Sequence, residues 1–498
     1  MNKKKLFLFL GLGMILFFVF RLSDQRALSF HFVDEEDHIV SADYMNRGYK
    51  LYKDLSLNHQ PLVYLGSSWL QKITKPNSVF LLIKSHRLAM FGYAAIWSIL
   101  LTWRFGLIGL LFVSIFEWLK FYLFGNLWLM ESMAVYPAVY LLAVFLQSQL
   151  KSVWPEKKEA VFLGFCSFLI FFNLVPLWPW LGLIWLILLI KNRKQFLWQV
   201  LGGLIPTIIL FILISPIDWF RETVFYNVVY AMPQLSTVKT SSDWLKIVFF
   251  PFLSFATKNS FQAQVIQWLT TGWLITLIIL VVKKQKKAWW LLGTYLLMIL
   301  ANLRVLSPGS VFYEGFHLLP WLGLLLISFL IHLKQVKKPI ILVIFSIWGL
   351  SLLINHNMPY FWQTDSMSEY HINYSRFDDL NFAVKTLSNS NDRLAVLTSE
   401  SLVYWQTEVK PATRQVVYYS WEQDVPDLKD DYSKVFKGDN PPEFIYGGQE
   451  TGLVEDKYIP LLKDNQLTEL FIRKDKLKNI SQSQIDRLFL RSFTLIEN

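Results

Sequence analysis

The residues with the clearest chemical potential form an acidic run near the start of the chain. Asp34, Glu35, Glu36 and Asp37 are consecutive, and they follow shortly after a long apolar segment. Like charges at this spacing repel, so the run should take up a proton, hold a cation or face a basic partner. A carboxylate is also a competent general base for the hydroxyl group of an acceptor. A solvated loop, or the acidic first turn of a helix, accounts for the same residues on charge alone.

Three further residues extend this chemistry. Asp54 and His59 follow the run in the same polar stretch, and Glu131 stands at the start of a later apolar block. We expect these side chains to contact an acceptor or to supply a second acidic group. The carboxylates of Asp34, Asp54 and Glu131 also suit Mg²⁺ or Mn²⁺. The sequence leaves open whether any metal ion is needed.

Basic residues in two places are candidates for binding a phosphate group. Arg304 and His317 flank a loop between two late apolar blocks, and Lys84 and Arg87 lie where the first polar loop ends. A departing phosphate needs cations or fixed donors nearby. Long basic side chains also anchor helices at the membrane surface, and the sequence is compatible with that role for all of them.

These residues are carried by a chain built from long apolar blocks. Of its 498 residues, 54% are hydrophobic and 17% are charged, whereas soluble domains carry about 25% charged residues. A helix needs roughly 20 apolar residues to cross a bilayer. The pattern therefore predicts a polytopic α-helical membrane protein with about 11 spans. They lie at Leu6–Phe20 and near 88–103, 105–124, 129–149, 160–175, 176–190, 196–214, 264–282, 288–303, 317–333 and 339–355.

Within the third block, Glu117 and Lys120 have the i, i+3 spacing that places two side chains on one helix face. We expect them to pair. Charged groups inside spans are costly and often functional, but a structural pair is the simpler interpretation here.

Alternate segments between the blocks predict the orientation. Clusters of Lys and Arg mark the cytoplasmic side, and they occur at 3–5, 104, 151–158, 191–194, 283–287 and 334–338. The N-terminus should therefore be cytoplasmic. The first loop (21–87), the aromatic-rich loop 215–263 and the C-terminal tail should be extracytoplasmic. No small-residue cleavage site follows the first block, so it is expected to remain as an uncleaved span.

The tail has a different composition. From His356 onward, 22 acidic residues outnumber 16 basic ones. The sequence predicts two domains, a membrane module at 1–355 and a soluble α/β domain at 356–498. In the latter, Asp378–Leu387 should be a helix, and Arg393–Thr398, Gln415–Tyr419 and Glu443–Tyr446 should be strands. The segment 244–256 is too short to span and should lie at the membrane surface.

Several function classes are excluded or lack support. The net charge of +11 comes from the short segments between apolar blocks, so it indicates membrane orientation and not a nucleic-acid partner. The single cysteine, Cys166, rules out a disulfide within one chain. No phosphate-binding glycine-rich motif supports a nucleotide-driven pump.

The first loop resembles that of the GT-C superfamily of polytopic glycosyltransferases, and especially the bacterial relatives of protein O-mannosyltransferases. The matching residues are Asp34-Glu35, Ala42, Gly48, Tyr52, Asp54, His59, Pro61-Leu62 and Tyr64. Further similar stretches are Phe312–Pro320, Leu402–Trp405 with Lys410–Arg414, and Asn440–Ile445. The order of these stretches along the chain carries the resemblance. The extra Glu36-Asp37 departs from the family pattern and leaves open which acid is catalytic.

The resemblance implies a reaction and its partners. A sugar on a polyprenyl phosphate would be the donor, and an extracytoplasmic glycan, wall polymer, lipid or protein would be the acceptor. Asp34 would act as general base, with Glu35 as neighbour or alternative, and the sugar would be transferred with inversion. Such an enzyme would reside in the cell membrane among lipids. The metal requirement, the sugar and the acceptor remain open.

Two other classes compete with this hypothesis. A transporter or a flippase for lipid-linked glycans typically shows inverted repeats and a central site, and the sequence shows no repeat. A non-catalytic sensor or scaffold would display the tail alone. The long acidic first loop favours the transferase over both.

Overall fold

The computed structural model describes residues 3–257, 260–285, 287–309, 312–336, 345, 347–349, 351–352, 365–398, 400–448 and 457–495. The chain is mostly helical, at 71%. It forms two compact units. The first comprises Met1–Ala27, His86–Leu213 and Ser236–Thr364, and the second comprises Leu28–Ser85, Ile214–Leu235 and Asp365–Asn498. The predicted boundary at 355/356 remains a prediction, since each unit draws on several segments of the chain.

Among the described residues, six helices are long and apolar enough to cross a membrane. They are Lys5–Gln25, Val79–Phe105, Met130–Lys151, Arg193–Leu213, Phe261–Val282 and Gly315–Val336. Shorter helices cover Leu107–Leu119, Lys157–Phe171, Trp178–Lys191 and Lys287–Ala301. Ten of the predicted spans thus coincide with helices, and the eleventh, near 339–355, lies largely outside the described residues. The total of about eleven spans remains a prediction.

Glycine and proline determine where these apolar helices begin and end. Gly106 adopts a φ of +62° between the helices that end at Phe105 and begin at Leu107, a conformation that costs glycine little. Val175–Leu177 forms a single 3₁₀ turn, and a proline occupies the first turn of the helix Trp178–Lys191. Proline is well tolerated there because its missing N–H would have no helical partner.

Two helices of the first unit pack with their backbones in close contact. A Cβ atom at Gly164 would lie 2.0 Å from the Gln199 carbonyl oxygen, and one at Gly202 would lie 2.0 Å from that of Val161. Small residues at such positions are typical of membrane helix pairs, because van der Waals contact replaces the hydrophobic effect there. Lys157–Phe171 and Arg193–Leu213 are therefore held together by surfaces that only glycine provides.

The second unit contains a six-stranded mixed sheet in the order β2-β1-β3-β5-β4-β6. β1 pairs with β2 and β3 in parallel, and the remaining pairs are antiparallel. The strands are β1 Arg393–Val396, β2 Lys410–Pro411, β3 Phe444–Tyr446, β4 Tyr458–Lys463, β5 Gln466–Arg473 and β6 Phe493–Leu495. Tail helices cover Ser366–Asn373, Arg376–Leu387, Leu402–Thr407, Pro426–Lys437, Lys474–Leu477 and Gln482–Phe489.

The tail confirms part of the sequence prediction and corrects another part. The helix at Arg376–Leu387 and strands β1 and β3 match the predicted elements. The predicted strand Gln415–Tyr419 is wrong. Gln415 makes one isolated bridge with Ser56, and Tyr419 precedes a 3₁₀ helix that begins at Ser420. These tertiary contacts override the β-propensity of the intervening valines.

The second unit also includes two helical segments outside the tail, Val33–Asn46 and Pro61–Thr74. The segment after the span Arg193–Leu213 is helical too, although it was predicted as a loop. It begins at Pro216–Phe220 and continues through π-helical turns at Arg221–Phe225 and Asn227–Ala231 to Met232–Leu235. Short helices follow at Ser241–Val248 and Phe250–Leu253 in the first unit, and their lengths agree with the prediction that 244–256 cannot span.

Candidate functional site

The acidic run begins the helix Val33–Asn46. Phe32, the residue before it, is extended and makes no side-chain cap, and Asp34, Glu35 and Glu36 occupy the first turn. Carboxylates are favourable there because the amide groups of the first turn carry partial positive charge. The run is therefore part of a helix rather than an irregular loop, as one of the two structural interpretations of the sequence predicted.

Burial separates the four acids from one another. Glu35 and Glu36 are fully buried and Asp37 nearly so, whereas Asp34 is partly exposed. Glu36 lies 2.9 Å from Nε2 of His31. Asp34 is thus the member of the run that a molecule from outside can reach most directly.

Asp37 faces a polar cluster within the same unit. Its carboxylate accepts hydrogen bonds from the hydroxyl groups of Ser41, at 3.3 Å, and Tyr64, at 3.4 Å. His59 Nδ1 lies 3.7 Å from Asp37 Oδ2 and 3.0 Å from His38 Nε2. Among the residues that the structure describes, Asp37, His38 and His59 form a group able to hold a metal ion.

This group differs from the oxygen ligands that the sequence suggested. Asp54 accepts a hydrogen bond from the backbone N–H of Lys50, at 2.8 Å, and so closes a turn in the loop. His59 lies beside His38, which sequence reasoning overlooked, and its predicted contact with the acceptor remains a prediction. The signal was present, because His38 directly follows the acidic run.

A buried ionic network joins three segments of the second unit. Glu222 accepts hydrogen bonds from the Ser56 hydroxyl and from the Arg414 guanidinium, each at 2.8 Å. Arg221 lies 3.4 Å from the same carboxylate. Burial raises the pKa of Glu222 to about 7, against the attraction of Ser56 and the two arginines. Nothing in the sequence singled out Glu222, which lies in an aromatic-rich stretch four residues after Asp218.

In the first unit, Glu131, Arg304 and His317 come together. Glu131 lies in the first turn of Met130–Lys151. Its Oε1 atom is 3.2 Å from Nδ1 of His317 and 3.4 Å from Nη1 of Arg304. All three were predicted as site residues from the sequence, and their distant positions in the chain gave no indication of direct contact.

The local backbone fixes the two basic side chains. Asn302 bridges to Val305 through both its amide oxygen, at 3.1 Å, and its amide nitrogen, at 3.0 Å, so the turn that carries Arg304 is closed on itself. The hydroxyl of Thr237 donates to the Arg304 carbonyl oxygen. His317 lies in the last turn of a 3₁₀ helix, Phe312–Leu318, that leads into a long apolar helix.

These three residues line a small, solvent-open cavity, in which about 270 Å³, open solvent included, is free of protein atoms. The Glu131 side chain is 2% exposed, that of His317 19% and that of Arg304 44%. The carboxylate therefore lies at the base, and the guanidinium lies toward the opening. The rest of the lining is mainly apolar and includes Leu174, Pro176, Leu177 and Pro320. Such a cavity can hold an anion against Arg304, with Glu131 fixing the orientation of both basic groups.

Lys84 and Arg87 lie on the helix Val79–Phe105. Arg87 is buried and its Nη1 donates to the Ala27 carbonyl oxygen, at 3.2 Å. Lys84 is half-buried, and its ammonium lies 5.7 Å from the centre of the Phe80 ring. Anchoring at the membrane surface and phosphate binding both remain predictions for these two residues.

The predicted pair of Glu117 and Lys120 is confirmed. Lys120 Nζ lies 2.5 Å from Glu117 Oε2, and the Tyr136 hydroxyl donates to Glu117 Oε1 at 2.7 Å. Both charged side chains are almost completely buried. The pair and Tyr136 therefore connect two neighbouring helices through a closed polar network, a structural role.

The described residues define a class: a mostly helical chain, with six helices able to cross a membrane and a small sheet near the C-terminus. No known family model matches the chain, and no curated protein matches it. Any more specific function must therefore be argued from the residues of the two units.

Proposed function

We propose that the chain is an integral membrane glycosyltransferase of the GT-C type, which transfers a sugar from a polyprenyl phosphate to an extracytoplasmic acceptor. About eleven spans, a cytoplasmic N-terminus and an extracytoplasmic tail belong to this proposal. The observation that carries it is the cavity at Glu131, where Arg304 offers a cationic guanidinium and His317 an imidazole at the ends of apolar helices.

The cavity suits the leaving group of this reaction. As the sugar departs, negative charge develops on the lipid phosphate, and donors already in place stabilise it without reorganisation. Arg304 presents a planar fork of N–H groups that matches phosphate oxygens. Glu131 would keep the Arg304 and His317 side chains oriented while leaving most of the guanidinium edge accessible.

Asp34 is the best candidate for the general base. It would take the proton of the acceptor hydroxyl as the oxygen forms a bond to the anomeric carbon. The bond between that carbon and the phosphate oxygen breaks, and the lipid phosphate leaves with the electron pair. A positioned base of this kind contributes typically 10²–10⁴-fold in rate. The partial exposure of Asp34 supports its choice over the buried Glu35.

The test uses the full-length chain in membranes or detergent with a panel of polyprenyl-phosphate sugars. Formation of glycosylated product is followed by mass spectrometry, and its anomeric configuration is determined by NMR. Asp34→Asn and Arg304→Ala should each lower the rate of transfer by about 10²-fold or more. Arg193→Ala, at the exposed start of another helix, should not.

Two outcomes would contradict the proposal. The first is that both site variants transfer sugar at the wild-type rate. The second is that vesicles containing the chain move the lipid-linked sugar across the bilayer while forming no glycosylated product, which would favour the flippase alternative.

A further inference from the structure

We propose that Asp37, His38 and His59 form a binding site for a transition-metal ion, with zinc as the preferred ion. The three side chains each offer one ligand atom, and these atoms lie within 4.8 Å of one another. Two imidazole nitrogens and one carboxylate oxygen are a recurrent zinc ligand set with one position left for water. This proposal is independent of sugar transfer.

The measured separations fit a tetrahedral ion. Zinc bonds of about 2.0–2.1 Å to nitrogen and oxygen place neighbouring ligand atoms about 3.3 Å apart. The two imidazole nitrogens, His38 Nε2 and His59 Nδ1, are 3.0 Å apart, and Asp37 Oδ2 lies 3.7 Å from His59 Nδ1. Adjustments of a few tenths of an ångström would bring these two separations to those of a bound ion.

The surroundings hold the ligands in place. Asp37 and His38 are almost completely buried on one helix. The Ser41 and Tyr64 hydroxyls donate to the Asp37 carboxylate, and the Tyr64 ring packs edge-on against His38. Partners of this kind orient metal ligands and typically change affinity by 10–100-fold when removed.

The ion would enter the site at His59, its most exposed ligand. The His59 side chain is 18% exposed, whereas Asp37 is 1% exposed. The Tyr52 hydroxyl donates to the His59 carbonyl oxygen at 2.8 Å and so holds the loop that carries the imidazole. The ion would therefore connect this loop to the helix Val33–Asn46.

The donor set also selects the metal. Imidazole suits zinc, copper, iron and nickel, whereas Mg²⁺ demands an octahedral shell of oxygen atoms. The ligands must be deprotonated, so binding should release protons. We therefore expect zinc and cobalt to bind and magnesium not to compete.

The experiment measures metal content and stability in the purified full-length chain in detergent. After removal of metals with EDTA and reloading with Zn²⁺, wild type should retain about one zinc ion per chain. Cobalt should give the intense visible absorption of a tetrahedral site. Zinc should also raise the apparent melting temperature, since a ligand of the folded state stabilises it.

Matched variants distinguish metal ligands from residues that do not bind the ion. His38→Gln and His59→Asn should lose the bound zinc, and Tyr64→Phe should keep it with about 10-fold weaker affinity. His371→Gln, an exposed histidine on a tail helix, should behave as wild type. A His59→Asn protein that melts like metal-free wild type yet does not respond to zinc would show that folding is intact.

The proposal is overturned if wild type retains no zinc after reloading. It is equally overturned if the His38 and His59 variants bind as much zinc as His371→Gln does, or if magnesium displaces the zinc. Sugar transfer is assayed separately, so a chain that binds zinc but transfers no sugar would contradict the proposed function alone.

Discussion

Glu222 should make the chain less stable as the pH rises from 5 to 7. Its side chain is 1% exposed, and burial raises the pKa from 4.5 to about 7 even though Ser56 and Arg414 donate to the carboxylate. Between these two values the folded chain keeps a proton that the unfolded chain has released. The folded state therefore binds more protons, and the free energy of unfolding falls as the pH increases.

The size of the effect follows from the pKa difference. One pKa unit corresponds to about 1.4 kcal/mol, so the full change is at most about 3 kcal/mol, complete above pH 7. Glu222→Gln cannot titrate and keeps an oxygen for the Ser56 hydroxyl. The variant should match wild type near pH 5 and exceed its stability near pH 8, although it weakens the pairing with Arg414.

The assay is thermal unfolding of the full-length protein in detergent, followed by tryptophan fluorescence from pH 5 to 8.5. For a 498-residue chain that unfolds in one step, a difference of about 3 kcal/mol corresponds to about 3 °C in the melting temperature. Glu422, whose pKa burial raises to about 8, is present in both proteins and largely cancels in the comparison. Glu408→Gln, at a side chain that is 68% exposed, serves as the control.

The reasoning would be refuted if the melting temperatures of wild type and Glu222→Gln changed in parallel between pH 5 and 8.5. A variant that is less stable than wild type at pH 8 would refute it too, because the ion pairs with Arg414 and Arg221 would then outweigh the cost of burying the charge.

Three further predictions address transfer and packing. Asp34→Asn should lower the rate of sugar transfer by about 10²–10⁴-fold. It should lower the stability by no more than about 1 kcal/mol, the contribution of a carboxylate in the first turn of a helix; an unchanged transfer rate would exclude Asp34 as the base. Arg304→Ala should lower the transfer rate by about 10²–10³-fold, the usual cost of losing one charge-stabilising donor. Arg304→Lys should restore only part of the lost transfer rate; full restoration would mean that the bidentate fork is unimportant. Gly164→Ala should destabilise the chain by about 1–3 kcal/mol in thermal unfolding, since its methyl group would meet a backbone oxygen. Gly182→Ala, with open space around it, should be neutral or stabilising. Equal effects of the two substitutions would contradict the packing argument.

Local patterns predicted most of the helices and part of the sheet. Apolar blocks, and Gly106 between two of them, define helices because a span must satisfy its own backbone. The strands β4 and β5 were missed, although the two residues between them, Asp464 and Asn465, both adopt positive φ, as in the tight turns of hairpins. That dipeptide was a usable signal. No local pattern showed that the predicted strand at Gln415 would not form, because its structure depends on a contact with Ser56, far away in the chain.

In the candidate sites too, the sequence predicted features that depend on residue type and missed those that depend on distant contacts. Residue type was enough to single out Glu131, Arg304 and His317, because acids and bases beside apolar blocks are costly unless they are used. Their mutual contacts depend on how the helices pack, which sequence spacing does not encode. Glu222 and His38 were missed for the same reason, since their character comes from burial and from neighbours supplied by other segments.

Burial also changes what the acidic run means. In the sequence, repulsion between its four members suggested that the run takes up a proton, holds a cation or faces a basic partner. In the folded chain the run is divided. Asp37 is directed to His59 and the hydroxyls, Glu36 lies against His31, and Asp34 remains partly exposed at the helix start. The extra Glu36-Asp37 therefore need not compete with Asp34 for the proton of an acceptor. In the proposed zinc site, Asp37 is a ligand and Asp34 is not, so Asp34→Asn should leave zinc binding intact and His59→Asn should abolish it.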